Sequence, residues 1–191
     1  RDYEANKSDG LWLQRAMNKL YAKGCKEDPM FVKIVKQKNT LEPNADTAWY
    51  LYVITGEQRY FDQSLSLQTD PLKKAKLYRK LAGEFKSKGS NSKAREYYYK
   101  SMELNPADAS GYLQVASMYA GSVKSCGNTN FEKRAIYWLA ANEAAKASSD
   151  TASKYRALAP SKPDIFKEDM SGKTIKIGCW IQRSITVPKI N

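Results

Sequence analysis

The side chains in this sequence that are able to do chemistry are mostly cationic. From Leu72 to Lys100 there are ten Lys or Arg against two Glu (Glu84 and Glu96), a surplus of eight within a formal net charge of +12. A patch of that kind attracts acidic proteins, anionic headgroups or nucleic acid by long-range steering. The other reading is a solvated helix face that keeps the chain soluble. His is absent, which removes the commonest general base, the commonest metal ligand and any Ser-His or Cys-His nucleophile. The three cysteines, Cys25, Cys126 and Cys179, are far apart and form no C-x-x-C pair, so no zinc site is expected. Glu84 and Glu96 fall on different predicted helices with no pocket signal around them, which leaves carboxylate catalysis unsupported. The expectation is a protein that is not an enzyme and takes no cofactor or metal.

The elements that would position the basic patch are helices. From Ala75 to Asp108, Tyr78, Leu81, Ala82 and Phe85 fall at i, i+3, i+4 and i+7, one apolar stripe. After Gly89, Ala94, Tyr98 and Ser101 make the facing stripe, and Pro106 closes the unit. Small residues at 82, 94 and 101 let two paired helices approach closely. The pattern then recurs in phase: Tyr112, Val115, Ala116 and Tyr119 occupy the same four offsets. Its second helix is delayed by an insertion, Ser122 to Asn130, and resumes at Phe131, Ala135 and Leu139. Upstream, Leu41-Glu42-Pro43 followed by Trp49 parallels Leu104-Asn105-Pro106 followed by Tyr112.

The 34-residue unit carrying these residues resembles the tetratricopeptide repeat (TPR), with Ser101 in place of Ala as its one departure. The resemblance implies an all-α, helix-turn-helix superhelix of about four helix pairs plus a capping helix. First helices would line a concave groove. The outward groove positions of the family map here onto Lys76, Arg79, Lys80, Gly83 and Lys86, then onto Ser110, Leu113, Gln114, Ser117 and Ala120. Upstream, Tyr50 and Ile54 are candidates. A groove basic in its middle suits an extended peptide with acidic side chains or a free carboxylate. Some family members clamp a carboxylate with Lys and Asn; the Asn positions are missing here, and that role is not carried over. The implied function is a protein–protein interaction scaffold with a protein or peptide partner. The alternative is a nucleic-acid-binding repeat protein using the basic face. Of Tyr97, Tyr98 and Tyr99, Tyr98 is a repeat core position; Tyr97 and Tyr99 fit helix packing better than base stacking, and Trp49 and Trp138 are likewise expected in the core.

The repeats set the domain expectation: a helical solenoid over 1–159, with its best repeats at 75–108 and 109–147 and degenerate ones at 8–43 and 44–71, then an extension over 160–191. Residues 1–8 read as a frayed end. Ser8 or Asp9 caps a first helix carrying Leu11, Trp12, Ala16, Leu20 and Tyr21, and a second follows from Pro29 with Phe31, Ile34 and Val35 inward. A third carries Trp49, Tyr52 and Val53 to Gly56, with Tyr60 to Leu67 as its short partner. The helix from Phe131 is apolar almost all round, with a helix over Asp150–Leu158 as its natural cover. Alternation of Ile175, Ile177, Cys179 and Ile181, then Ile185 and Val187, predicts a small C-terminal β-hairpin at about 173–188, turning near Gln182-Arg183. Such a hairpin is marginal alone and should dock on the helices.

This tail, with Pro160-Ser161-Lys162 and Ile177-Gly178-Cys179-Trp180-Ile181, is similar to the ends of cell-envelope TPR proteins of Bacteroidota. So are Cys126-Gly127 and Phe131-Glu132-Lys133-Arg134-Ala135. The similarity implies an exported, periplasmic or outer-membrane-associated protein. In an oxidising compartment Cys126 and Cys179 would be the disulfide partners, with Cys25 left over; three reduced cysteines packed as small apolar residues are the other reading. No apolar run is long enough for a membrane span. The chain opens at Arg1 without Met, so a start cut away either by processing or by design is expected, and a signal or lipid anchor upstream of it would not be seen in this sequence.

Overall fold

The computed structural model describes residues 2–190, and the chain divides between Lys74 and Ala75 into two compact units. In the first unit, α1 (Asp2–Asn6), α2 (Gly10–Ala22), α3 (Pro29–Leu41), α4 (Ala45–Thr55) and α5 (Gln58–Leu67) follow one another. From α2 onward each packs on the next. Short polar side chains start α2 and α3: Asp9 accepts from the amides of Leu11 and Trp12, and Asp28 from Met30 with Pro29 in the first turn. The core holds Tyr3, Leu13, Met17, Phe31, Ile34, Val35 and Leu51.

Three expectations for this unit need correction. The first residues are not a frayed end: residues 2–6 form α1, because Tyr3 is buried in the core and Glu4 pairs with Lys33 at 2.9 Å; Arg1 lies outside the described residues. Leu11 and Tyr21 are exposed, and α2 turns Leu13 and Met17 inward instead. Val53 also points outward, while Ala48 and Leu51 fill the α4 interior beside Tyr52. Each of these stripes is wide enough in sequence to be rotated by one position, and only the neighbouring helix decides which position is covered.

α6 (Pro71–Ser87) begins at the end of the first unit, capped by Asp70, and runs into the second. There α7 (Asn91–Leu104), α8 (Ser110–Gly121), α9 (Asn130–Ala145), α10 (Ser149–Leu158) and α11 (Lys162–Lys167) follow. The expected repeat stripes are the core: Leu81, Ala82, Ala94, Tyr98, Val115, Ala116 and Tyr119 are all buried. Gly89 ends the α6 turn at φ +73°, with Ser90 N–H reaching Phe85 O at 2.8 Å, a closure that needs left-handed backbone. Tyr78 and Tyr112 occupy matching places: a lysine in or just past the second helix of each repeat, Lys100 or Lys146, lies over the ring at 5.9 and 4.8 Å.

Ser101, the one departure from the repeat pattern, has a physical explanation. Its buried hydroxyl donates to Ala75 O at 2.8 Å and ties the end of α7 to the start of its partner. Ser64 makes the same bond to Ala45 O, also 2.8 Å, within the shorter α4–α5 pair. Glycines Gly56 and Gly89 mark the turns. From Ala45 to Gly56 is three positions less than from Ala75 to Gly89, and from Gly56 to Ser64 four less than from Gly89 to Ser101. About one helical turn is therefore missing from each helix, so the buried faces keep their phase.

α9 is covered on several sides, by α8, by α10 and by the hairpin of β1 (Thr174–Ile177) and β2 (Arg183–Thr186). The strands are antiparallel, pairing Thr174 with Thr186 and Ile177 with Arg183. The turn is wider than expected. Residues 178–182 connect the strands, with Cys179 and Gln182 at positive φ, so Ile181 lies in the connection and yet is fully buried. Cys126 and Cys179 form a disulfide, while Cys25 is free. Trp180 stacks on Tyr119 at 5.4 Å and donates its indole N–H to Ser122 Oγ at 2.8 Å. Arg95 donates to Ile181 O at 2.7 Å and to Tyr119 Oη at 3.1 Å. α11 was not anticipated; its signal is Ser161-Lys162-Pro163-Asp164, where Asp164 accepts from the Ser161 amide and hydroxyl at 2.7 Å.

Candidate partner-binding face

In the second unit the candidate groove residues lie on α6 and α8, the first helices of successive repeats. Lys76, Arg79 and Lys80 are exposed on α6 and Lys86 is half-buried one to two turns on. On α8, Gln114 and Ser117 are exposed, and half-buried Leu113 packs against the core. Two cross-repeat contacts join the helices. Arg79 forms an ion pair with Asp108 and donates to Ser110 Oγ at 3.2 Å. Lys86 donates to Gln114 Oε1 at 2.9 Å. These residues share one face because positions two, five, six and twelve of a 34-residue unit sit on the same side of a 3.6-residue helix.

The patch is less freely basic than the sequence implies, since Asp108 neutralises Arg79. Hydrogen bonds from the Ser110 hydroxyl and amide, with the nearby Arg79 charge, hold the Asp108 carboxyl below its ordinary range. Asp108 went unrecognised at the sequence level; an acid just after the repeat-closing Pro106, and before the Ser110 at the second position of the next repeat, is the signal that could have found it. Further along α6 and α7, Tyr97 stacks between Tyr78 and Phe85 at 5.9 and 5.5 Å, with Lys100 at 5.1 Å from its ring. Tyr99 donates to Glu143 Oε1 at 3.0 Å, and burial pushes its phenol well above the usual range. Neither ring is presented for base stacking.

Tyr50 and Ile54 belong to the first unit. With Tyr21, Phe31, Trp49 and Val53 they line a pocket of about 110 Å³, Lys26 at its rim. Lys26 lies 4.5 Å from the Tyr21 ring, which meets Tyr50 edge-on at 5.2 Å. Burial chiefly, then the neighbouring Tyr21, raises the Tyr50 phenol. Such a pocket can take an apolar side chain. Trp49 is only half-buried, so it is a wall of this pocket as well as a partner of Tyr52 and Phe61.

Among the described residues, no cluster of His, Cys, Asp and Glu is placed to hold a metal ion, and no helix is long and apolar enough to cross a membrane. No protein-family model matches the chain, and no curated protein matches its sequence. Solved structures do resemble it. A crystal structure of MamA, a TPR-like protein, aligns with a TM-score of 0.50 at 20% identity, over 87% of this chain and 82% of that one. A second crystal structure of MamA gives 0.49 at 19% identity, over 87% and 77%. The fold of this chain is all-α and TPR-like, closed at its C-terminal end by a small antiparallel hairpin.

Proposed function

We propose that the protein is a non-catalytic interaction scaffold of the bacterial cell envelope, and that its α6–α8 face holds an extended, acidic segment of a partner protein. The observation that carries this reading is the pair of contacts by which Arg79 meets Ser110 and Lys86 meets Gln114. They make one continuous polar face from two successive repeats, with Lys76 and Lys80 along it and Leu113 and Ser117 beside it. An acidic strand of peptide would gain charge-assisted hydrogen bonds there. In the first unit, the pocket containing Tyr50 and Ile54 would take an apolar side chain of a partner. The Cys126–Cys179 bond supports an oxidising compartment, hence export. Kinship with the envelope TPR proteins of Bacteroidota belongs to the same reading, supported by the Gly178-Cys179-Trp180-Ile181 segment that carries the bond.

The test is capture of envelope proteins by the oxidised chain and by Lys76→Glu with Lys86→Glu. One partner lost with the charge reversals, and competed by an acidic peptide, is the expected result. Salt-sensitive retention on random nucleic acid, with no protein lost on charge reversal, would favour the nucleic-acid reading instead.

A further inference from the structure

The geometry points to a second docking site, separate from the α6–α8 face: the open edge of β2, which takes an extended peptide carrying an acidic residue as an added strand. The register decides which backbone groups face outward. Val187 N–H donates to Lys173 O at 2.9 Å, so 173 and 187 are a bonded pair, as are Ile175 with Ile185 and Ile177 with Arg183 two positions on each time. In an antiparallel pair the intervening residues turn their peptide groups away from the partner strand. On β2 those are Ser184 and Thr186, and the sheet has only two strands among the described residues. Two N–H donors and two C=O acceptors therefore line this edge at the roughly 7 Å repeat that a further strand would match.

The edge opens onto a groove of about 470 Å³ whose opposite side is built from Trp138 and Leu139 of α9 and Arg156 of α10. Trp138 and Leu139 are half-buried, so an apolar floor is exposed beside the edge. Arg156 is exposed, is the one charged residue of the lining, and makes no ion pair among the described residues. An added strand answers all three features. Its backbone pairs with Ser184 and Thr186, an apolar side chain covers the floor, and an acidic side chain or terminal carboxylate meets Arg156. A helix laid in the groove would cover the floor but leave the edge amides unpaired, and the phosphates of a nucleic acid, which only accept hydrogen bonds, would leave the outward carbonyls of Ser184 and Thr186 unpaired. The outward groups of β1, at Thr174 and Lys176, do not line this groove.

The experiment uses the full oxidised chain, isotope-labelled, and an acetylated eight-residue peptide of alternating Val and Glu. Amide exchange at Ser184 and Thr186 should slow at least tenfold at saturation, while Ile185, already paired within the sheet, changes little. Thr186→Pro removes one outward donor without touching the β1 ladder and should weaken binding at least tenfold. Arg156→Glu, on the exposed face of α10, should weaken it as much and reverse the preference towards a Val/Lys peptide. Should Thr186→Pro not fold, N-methylating alternate amides of the peptide removes the complementary bonds, those that the peptide N–H groups donate to the outward carbonyls of Ser184 and Thr186. No change at Ser184 and Thr186, equal binding of the Val/Glu and Val/Lys peptides to the parent chain, or indifference to N-methylation would each overturn the proposal. Perturbation confined to α6 and α8 would overturn it while supporting the separate face on those helices.

Discussion

Removing the Cys126–Cys179 bond should loosen the second unit far more than any surface change. The bond closes a sequence separation of 53 residues. On the chain-entropy account a loop of that length stabilises by about 4 kcal/mol at 25 °C. For a unit of roughly 120 residues this corresponds to about 15 °C in Tm, at the usual unfolding entropy per residue. The perturbation is Cys126→Ala with Cys179→Ala, compared with the parent chain under reductant. The helices should survive, because Ile175, Ile177, Ile181, Ile185 and Val187 still bury against the repeats and Arg95 still holds Ile181 O. Far-UV circular dichroism should therefore be unchanged at 20 °C, with the thermal transition of the second unit lowered. Trp180 fluorescence reports the same event locally, since its ring lies on Tyr119. The double variant and the reduced parent should agree within about 1 kcal/mol, the allowance for two lost sulfur atoms in packing. A loss under 1 kcal/mol in both would refute the reasoning: the hairpin would then be held by its apolar contacts, with the covalent tie adding nothing.

Further outcomes follow from single residues. Leu81→Ala, at a fully buried repeat position, should cost about 3 kcal/mol in urea unfolding, whereas Leu72→Ala, half-exposed, should cost under about 0.5 kcal/mol. Gly127→Ala should destabilise by about 1–3 kcal/mol, because Gly127 has φ +92° and a Cβ there would lie 2.9 Å from the Lys133 amide nitrogen. Asp108→Asn should lower stability at neutral pH and not in acid. The Asp108 carboxyl is held below its unfolded value, so its contribution is present above the ordinary range of about 3.9 and is lost as pH falls through the folded value. Urea midpoints of both chains should converge at low pH; a constant gap would show that charge is not involved.

Much of the fold is legible in the sequence because the signal is local. Tyr78, Leu81, Ala82 and Phe85 announce one helix, and Gly89 with Ala94, Tyr98 and Ser101 announces its partner, through spacing that any 3.6-residue helix must obey. The apolar girth of α9 announced that cover was needed. α11 too has a local signal, its Ser161–Asp164 capping box.

What chain spacing could not decide is everything requiring two distant segments at once. Whether Leu11 or Leu13 faces inward depends on α3, since both lie on a plausible stripe and only the neighbour excludes water from one of them. Asp108 takes charge from the basic face only because α6 and α8 lie side by side. The β2 edge became a groove only when α9 and α10 came to stand opposite it. Helix identity follows from a residue's near neighbours in sequence; burial, pairing and open edges follow from neighbours in space, and those are supplied by the packed chain alone.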